Sequence, residues 1–307
     1  MNYLITIIGP TAIGKTSLSI ALAQHFGCEI LSCDSRQFFK EMTIGTAVPN
    51  TDELATAKHH FIQNKSIFEN YTVGDFEKEA IVKLDELFQK NNIQIMVGGS
   101  GLYVDAVLKG FDEFPAIENS IREKINIDFE VFGIDYLQQK LKELDADFYH
   151  KIELENPQTL QNPQRMKRFI EVCIGTGKPY SSFLNQKKNK RNFTPIIIGL
   201  EAEREIMYNR INQRVDGMID TGLVKEAEEL FAYKNLNALQ TVGYRELFDY
   251  FEGTISLDFA KEEIKKNTRR FAKRQETWFK RTENAKWFDY LTDVSKIKAF
   301  INSELLK

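Results

Sequence analysis

The sequence predicts an α/β protein, a parallel sheet that opens on a phosphate-binding loop and carries a mostly helical insertion. Three observations lead there. Residues 9–16 read GPTAIGKT, matching G-x-x-x-x-G-K-[ST]. Short apolar runs alternate with helical patterns at residues 3–8, 29–33, 93–97 and 195–200. From about Phe111 to Arg191 the strand signal disappears and only helical spacing is left. The expected organisation is a first core part over 1–110, a helical insertion over 111–192, and completion of the core with C-terminal helices over 193–307.

The run 3–8 feeds the loop formed by Gly9, Pro10, Thr11, Ala12, Ile13, Gly14, Lys15 and Thr16, and a helical pattern leaves it from Lys15 to Phe26. A loop in this context aims backbone N–H groups and a helix N-terminus at a diphosphate or triphosphate. Lys15 is placed to reach the terminal phosphate oxygens and the Thr16 hydroxyl to ligate Mg²⁺. A chance glycine turn would not sit between a strand and a helix in this way. The core is therefore expected to be P-loop NTPase-like.

The next run, 29–33, ends at Asp34-Ser35-Arg36-Gln37. Ligands of open α/β sheets lie outside the carboxyl ends of the strands, so Asp34 and the loop belong on one edge. Asp34 could cap the turn that follows, or serve as a carboxylate beside the phosphate site. Residues 42–49 form a Gly/Thr/Pro loop, and 60–62 could begin a short strand. Residues 75–90 have amphipathic helical spacing through Phe76, Ala80, Leu84, Leu87 and Phe88. The run 93–97 ends in GGSG, where Ser100 could cap a helix or reach the site.

Within the insertion, 137–141 and 164–174 have helical spacing, and Thr176-Gly177-Lys178-Pro179 is a helix stop. The basic run 185–191 reads as a solvated loop. After the strand at 195–200 comes a helix with Arg204, Arg210 and Arg214, then Gly222-Leu223-Val224-Lys225-Glu226 and QTVGYR at 240–245. Residues 261–281 hold nine basic and three acidic residues, with Phe271, Trp278 and Phe279 among them. Such a helix is suited to RNA backbone contact and base stacking, unless its aromatics simply face the core.

Bulk composition excludes several classes. The chain has 307 residues, 42% hydrophobic and 28% charged, with net charge −3, so no global basic character announces nucleic acid. Cys28, Cys33 and Cys173 lack metal-ligand spacing and fit a reducing compartment. His59-His60 reads as a strand-edge pair rather than a metal site. No signal peptide or span of about 20 apolar residues is visible, which leads to the expectation of a cytoplasmic protein.

Phosphate-loop kinases and NTPases commonly pair the loop with a later strand ending in Asp. Here that strand ends IQIMVGGSG, without an acid. Asp34 could activate a hydroxyl in a small-molecule kinase. It could equally be the base for a nucleophile attacking carbon, with the loop holding a diphosphate leaving group.

GPTAIGKT, CDSRQFFKEMTIGTA, GGSGLY, NPQRMKRFIEV…TGKP, TVGYREL and TRRFAKRQETWFKR occur in this order from about residue 5 to 281. Together they closely resemble the bacterial tRNA dimethylallyltransferase (tRNA isopentenyltransferase) family. The resemblance implies transfer of a dimethylallyl group from dimethylallyl diphosphate to N6 of adenosine at tRNA position 37, with release of diphosphate. It implies that the loop holds the prenyl diphosphate with Mg²⁺ through Thr16, that Asp34 is the catalytic base, and that Lys15 and an arginine, Arg214 before Arg210, take the diphosphate charge. It implies tRNA contacts at Asp34, Ser35, Arg36 and Gln37, and at Gln164, Arg165, Met166, Lys167 and Arg168. Further contacts are implied at Gln240, Thr241, Val242, Gly243, Tyr244 and Arg245. The last stretch is Lys273, Arg274, Gln275, Glu276, Thr277, Trp278, Phe279 and Lys280, with single contacts at Ser100 and Arg122. The partners are then tRNA and dimethylallyl diphosphate, with no membrane, and a monomer is expected. A relative in fold and chemistry that prenylates free adenine nucleotides stays the nearest alternative.

Overall fold

The computed structural model describes residues 1–112, 114–184 and 190–307. Its sheet has six strands, all parallel, in the order β3-β2-β4-β1-β5-β6. These are β1 (Tyr3–Ile8), β2 (Ile30–Ser32), β3 (His59–His60), β4 (Ile93–Val97), β5 (Thr194–Glu201) and β6 (Lys286–Asp289). The central strands are apolar along their length because both faces are covered, as a parallel sheet requires. Along β1 the side chains alternate between faces. Leu4 and Ile8 pack with Phe76, Ala80 and Leu84 of α3 (Val73–Phe88) and Val104 of α4 (Gly101–Lys109). Ile5 and Ile7 pack with Leu22 of α1 (Lys15–Phe26) and Ile301 of α12 (Val294–Leu305). Truncating a fully buried ring such as Phe76 costs about 3–5 kcal/mol.

Local signals explain the element ends. Thr72 and Asp75 form a reciprocal capping box that starts α3 two residues before the expected position. The strand expected at 60–62 is instead His59–His60, because Phe61 and Gln63 have positive φ (62° and 47°), which ends extended pairing. Some elements were not expected from the sequence. They include α2 (Thr51–Thr56), β6 and α12, the last two beyond residue 281.

A third core lies on the helices α8 (Arg204–Asp220), α9 (Leu223–Leu230), α10 (Tyr244–Phe251) and α11 (Leu257–Phe279), with Val215, Leu223, Leu247 and Ile264 buried together with Phe39 and Met42. No helix among the described residues is long and apolar enough to cross a membrane.

The chain divides into two compact units: Met1–Lys109 with Arg191–Lys307, and Gly110–Lys190. The second contains α5 (Asn119–Leu144), α6 (Ala146–Glu155) and α7 (Pro163–Thr176) around Leu137, Leu141, Met166 and Ile170. Its α5 is broken at Gly133 (φ 73°, ψ −162°), and α7 ends at Gly177 in the left-handed conformation. Of the basic run 185–191, residues 185–189 lie outside the described residues. Arg191 is not solvated: it is paired with Glu77 at 2.5 Å and donates to the Ala106 carbonyl at 2.7 Å.

Candidate active site at the carboxyl edge of the sheet

A cleft of about 1400 Å³ opens over the carboxyl ends of β1, β2 and β4, lined by residues of the sheet unit. The loop 9–16 forms part of its wall. Gly9 has φ 143°, and a side chain there would meet the Leu200 carbonyl at 2.6 Å, so only glycine lets the loop leave β1 against β5. Pro10 and Ile13 are buried. Thr11 and Ala12 are held from α8. The Arg214 Nη1 approaches Thr11 Oγ1 at 3.4 Å, and the Arg210 Nε donates to the Ala12 carbonyl at 2.8 Å. Arg210 also lies over the Tyr290 ring at 5.1 Å.

Lys15 donates to the Pro10 carbonyl at 2.7 Å. Neither Lys15 nor Arg214 has a carboxylate within ion-pair distance among the described residues, though Asp34 acts on both through space. Burial lowers the Lys15 ammonium to about 8; Asp34 pulls it back up and Arg214 pushes it further down. Burial likewise lowers Arg214, against the raising influence of Asp34 and Glu53. Two under-compensated cations beside one carboxylate make a site with a standing attraction for an anion.

Asp34 lines the same cleft, one residue after Cys33, whose N–H donates to the Val97 carbonyl at 2.8 Å. The carboxylate accepts from the Arg36 N–H at 3.3 Å, so the capping and cleft-facing readings of Asp34 coexist. The Ser35 N–H donates to Ser100 Oγ at 3.0 Å, joining the turns after β2 and β4. The Gln37 amide donates to the carbonyls of Thr46 and Ala47, and the Arg36 Nη1 to those of Asn237 and Ala238. Burial pushes the Cys33 thiol up, away from reactivity.

Thr16 lines the cleft, and its hydroxyl has no hydrogen-bond partner among the described residues. Mg²⁺ takes one or two protein oxygens and completes its shell with phosphate oxygens and waters, so a lone loop hydroxyl fits it. No group of three or more His, Cys, Asp or Glu among the described residues could hold a metal by itself.

The basic helix α11 is more divided than its composition. Lys265 pairs with Asp216 and Glu262, Lys266 with Glu263, Lys261 with Asp258, Lys280 with Glu201, and Arg269 bonds Asn212. Arg270, Lys273, Arg274 and Arg281 have no carboxylate partner among the described residues, which concentrates the open charge in the C-terminal half. Phe271 and Trp278 stay partly exposed at the cleft, and the Trp278 indole N–H is fixed on Asp105 at 2.9 Å.

The residues expected to contact tRNA differ in burial. Met166, Tyr244 and Phe279 are at most 1% exposed and fill cores. Gly243 is buried, its N–H given to Glu246. Gln275 is buried with both amide atoms engaged. Arg245, Thr277 and Gln240 are exposed, Thr241, Val242 and Glu276 half-buried. In the helical unit Gln164 is exposed on α7 and Lys167 is half-buried over the Phe129 ring. Arg165 caps onto Thr159, while Arg122 and Arg168 both bond the buried Glu171.

One functional feature left no mark in the sequence. Glu226 accepts the N–H groups of Thr43, Ile44 and Gly45 at 2.8–3.0 Å and the Tyr244 hydroxyl at 2.6 Å, fixing the loop at 42–47. Burial, then the Glu226 charge, raises the Tyr244 phenol, so it stays a donor. The carboxylate comes from a helix some 180 residues along the chain.

Fold and cleft together define a phosphate-loop α/β transferase in which the first loop and the turn after the second strand share one pocket. The chain belongs to the IPP transferase family, whose model matches residues 37–282. It is 72% identical over 305 residues to the tRNA dimethylallyltransferase of Flavobacterium johnsoniae, covering 99% of each chain. It is 74% identical to that of Flavobacterium psychrophilum, again over 99% of each. Among solved structures it is similar to the tRNA isopentenylpyrophosphate transferase of Bacillus halodurans, with TM-score 0.73 and 33% identity, covering 99% of this chain and 97% of that one. A eukaryotic dimethylallyltransferase acting on tRNA gives TM-score 0.83 at 26% identity, covering all of this chain and 80% of that one.

Proposed function

We propose that the chain transfers a dimethylallyl group from dimethylallyl diphosphate to N6 of adenosine at tRNA position 37. It is a tRNA-modifying prenyltransferase, and the reading places it in the cytoplasm as a monomer. The observation that carries the reading is the shared cleft, which Lys15, Arg214, Asp34 and the α11 residues Arg274 and Trp278 all line, with Asp34 acting on both Lys15 and Arg214.

The diphosphate takes the N–H groups of the loop, with Lys15 and Arg214 countering its charge. Arg214 is preferred to Arg210, because Arg210 is already fastened to Ala12 and Tyr290. Mg²⁺ at Thr16, when bound, supplies further positive charge to the diphosphate. The exocyclic N6 attacks the first carbon of the dimethylallyl group, forming the C–N bond as the C–O bond breaks. The electron pair of that bond leaves with diphosphate, and the N6 proton passes to the Asp34 carboxylate. The amine is a weak nucleophile because its lone pair is delocalised into the ring, so a positioned base matters, by about 10²–10⁴-fold in typical cases. The base must leave its stack to enter the pocket. Ser35, Arg36 and Gln37 together with Arg274 and Trp278, which line the cleft, and the exposed Lys273 next to Arg274 are the residues proposed to meet it and the flanking backbone.

The test is nucleoside mass spectrometry on an unmodified tRNA incubated with enzyme, dimethylallyl diphosphate and Mg²⁺. A new N6-dimethylallyl adenosine that requires the donor is the expected result. Faster turnover of AMP, ADP or ATP than of an anticodon stem-loop would overturn the acceptor assignment.

A further inference from the structure

Gln275 stands among the exposed cations of α11, yet it is only 5% exposed. Its amide joins two loops that never touch in sequence. The Nε2 donates to the Gly99 carbonyl at 2.8 Å, in the turn after β4. The Oε1 accepts from the Thr11 N–H at 2.9 Å, in the phosphate loop. A Cβ at position 99 would lie 2.2 Å from Nε2, so the glycine makes room for this bridge. The neighbouring residues Lys273 and Arg274 are exposed, and Trp278, less than one turn further on, is tied to Asp105.

Only a neutral amide serves both loops. A carboxylate accepts from Thr11 but meets the Gly99 carbonyl as a second acceptor and adds negative charge beside the phosphate loop. A leucine of similar size serves neither. A buried donor or acceptor left unpaired costs free energy, so the two loops and the helix are held to one arrangement. In a two-substrate transfer, alignment of the reacting atoms within fractions of an ångström carries much of the rate.

We propose that Gln275 is a positioning residue that couples the two substrate sites. RNA docked on α11 fixes, through this amide, the Thr11 segment of the donor loop, and an anion in the loop in turn fixes α11 for RNA. Binding of each ligand then strengthens binding of the other by the same factor, as linkage requires. The inference rests on the donor and acceptor sites proposed above.

The experiment measures the dissociation constant of a synthetic anticodon stem-loop with and without inorganic diphosphate and Mg²⁺. In the unaltered chain, diphosphate is expected to tighten RNA binding about 10-fold, within the usual range of coupling. In Gln275→Leu and Gln275→Glu that factor is expected to fall to within about 2 of unity, while affinity for either ligand alone changes by about 3-fold or less. kcat per binding-competent enzyme, counted by stem-loop titration, is expected to fall more than either KM changes; a general loss of folded protein would lower the count and leave this corrected kcat unchanged. Variants that retain the full factor, or an unaltered chain with none, would overturn the proposal. Should both variants fail to fold, hydrogen exchange on the unaltered chain decides: stem-loop binding without diphosphate is expected to slow exchange at the Thr11 amide, and no slowing overturns it. A chain that shows coupling but forms no prenylated nucleoside would instead sink the activity reading and leave this one standing.

Discussion

Lys15 and Arg214 of the sheet unit and Arg122 and Arg168 of the helical unit are all cations held against a folded interior, and they are treated differently. Arg122 and Arg168 converge on Glu171, which is 4% exposed, at 2.9 and 3.1 Å. Lys15 is given a neutral carbonyl, Arg214 a hydroxyl at the edge of hydrogen-bond distance, and the Asp34 charge serves both from further off. Paired charge fixes a surface. Under-paired charge beside a glycine loop opposes folding, and a site that keeps it is built around something that arrives later.

The sharpest way to break this comparison is at the one carboxylate the two unpaired cations share. Asp34→Ala is expected to keep RNA binding and lose turnover by about 10²–10⁴-fold, read in single-turnover assays. Activity near the starting level would remove Asp34 from the role of base.

Lys15→Met is expected to lower turnover by about 10²–10³-fold. The same substitution should stabilise the protein near neutrality. Because burial lowers the folded-state Lys15 to about 8 from 10.5, the unfolded chain holds this proton more tightly between those values. The penalty is therefore fully present below pH 8 and fades as pH rises toward 10.5. A melting temperature higher in Lys15→Met at pH 7, with the difference shrinking at alkaline pH, is the expected scan. A lower melting temperature at pH 7 would mean that Lys15 is a structural ammonium.

In the helical unit the sign should reverse. Glu171→Gln leaves two guanidiniums without a carboxylate and is expected to destabilise by about 1–3 kcal/mol, seen in urea midpoints. No loss would place Arg122 and Arg168 with the under-paired cations. The smallest effect is expected from Lys273→Ala with Arg274→Ala. RNA binding should weaken and its log–log salt slope flatten by about 1–2. An unchanged slope would take this half of α11 off the RNA.

Much of this site was legible in local sequence because its parts are local. The loop pattern needs eight adjacent residues, and the strands on either side declare themselves by continuous apolar runs. Asp34 was found because a strand ends just before it. The limits of the reading are equally physical. Periodicity does not say which basic residues of α11 have partners, since Asp216, Glu201 and Asn212 come from elsewhere in the chain. Motif likeness marked Met166, Tyr244 and Phe279 as RNA contacts, but motifs also preserve packing, and these three fill cores. The short β6 escaped because four residues, two half-buried and two exposed, carry too little pattern.

By itself, the sequence determined a parallel α/β core, a phosphate loop on its first turn, an acid at the end of the next strand and a helical insertion. Those are properties of adjacent residues, set by backbone sterics and by side-chain period. Only the tertiary structure decided which distant groups complete the site: Arg214 beside Thr11, Glu226 beneath the loop at 42–47, and Gln275 between two loops, 264 residues from one of them. A hydrogen bond is indifferent to separation along the chain once packing has brought its atoms within about 3 Å, and no local pattern encodes that meeting.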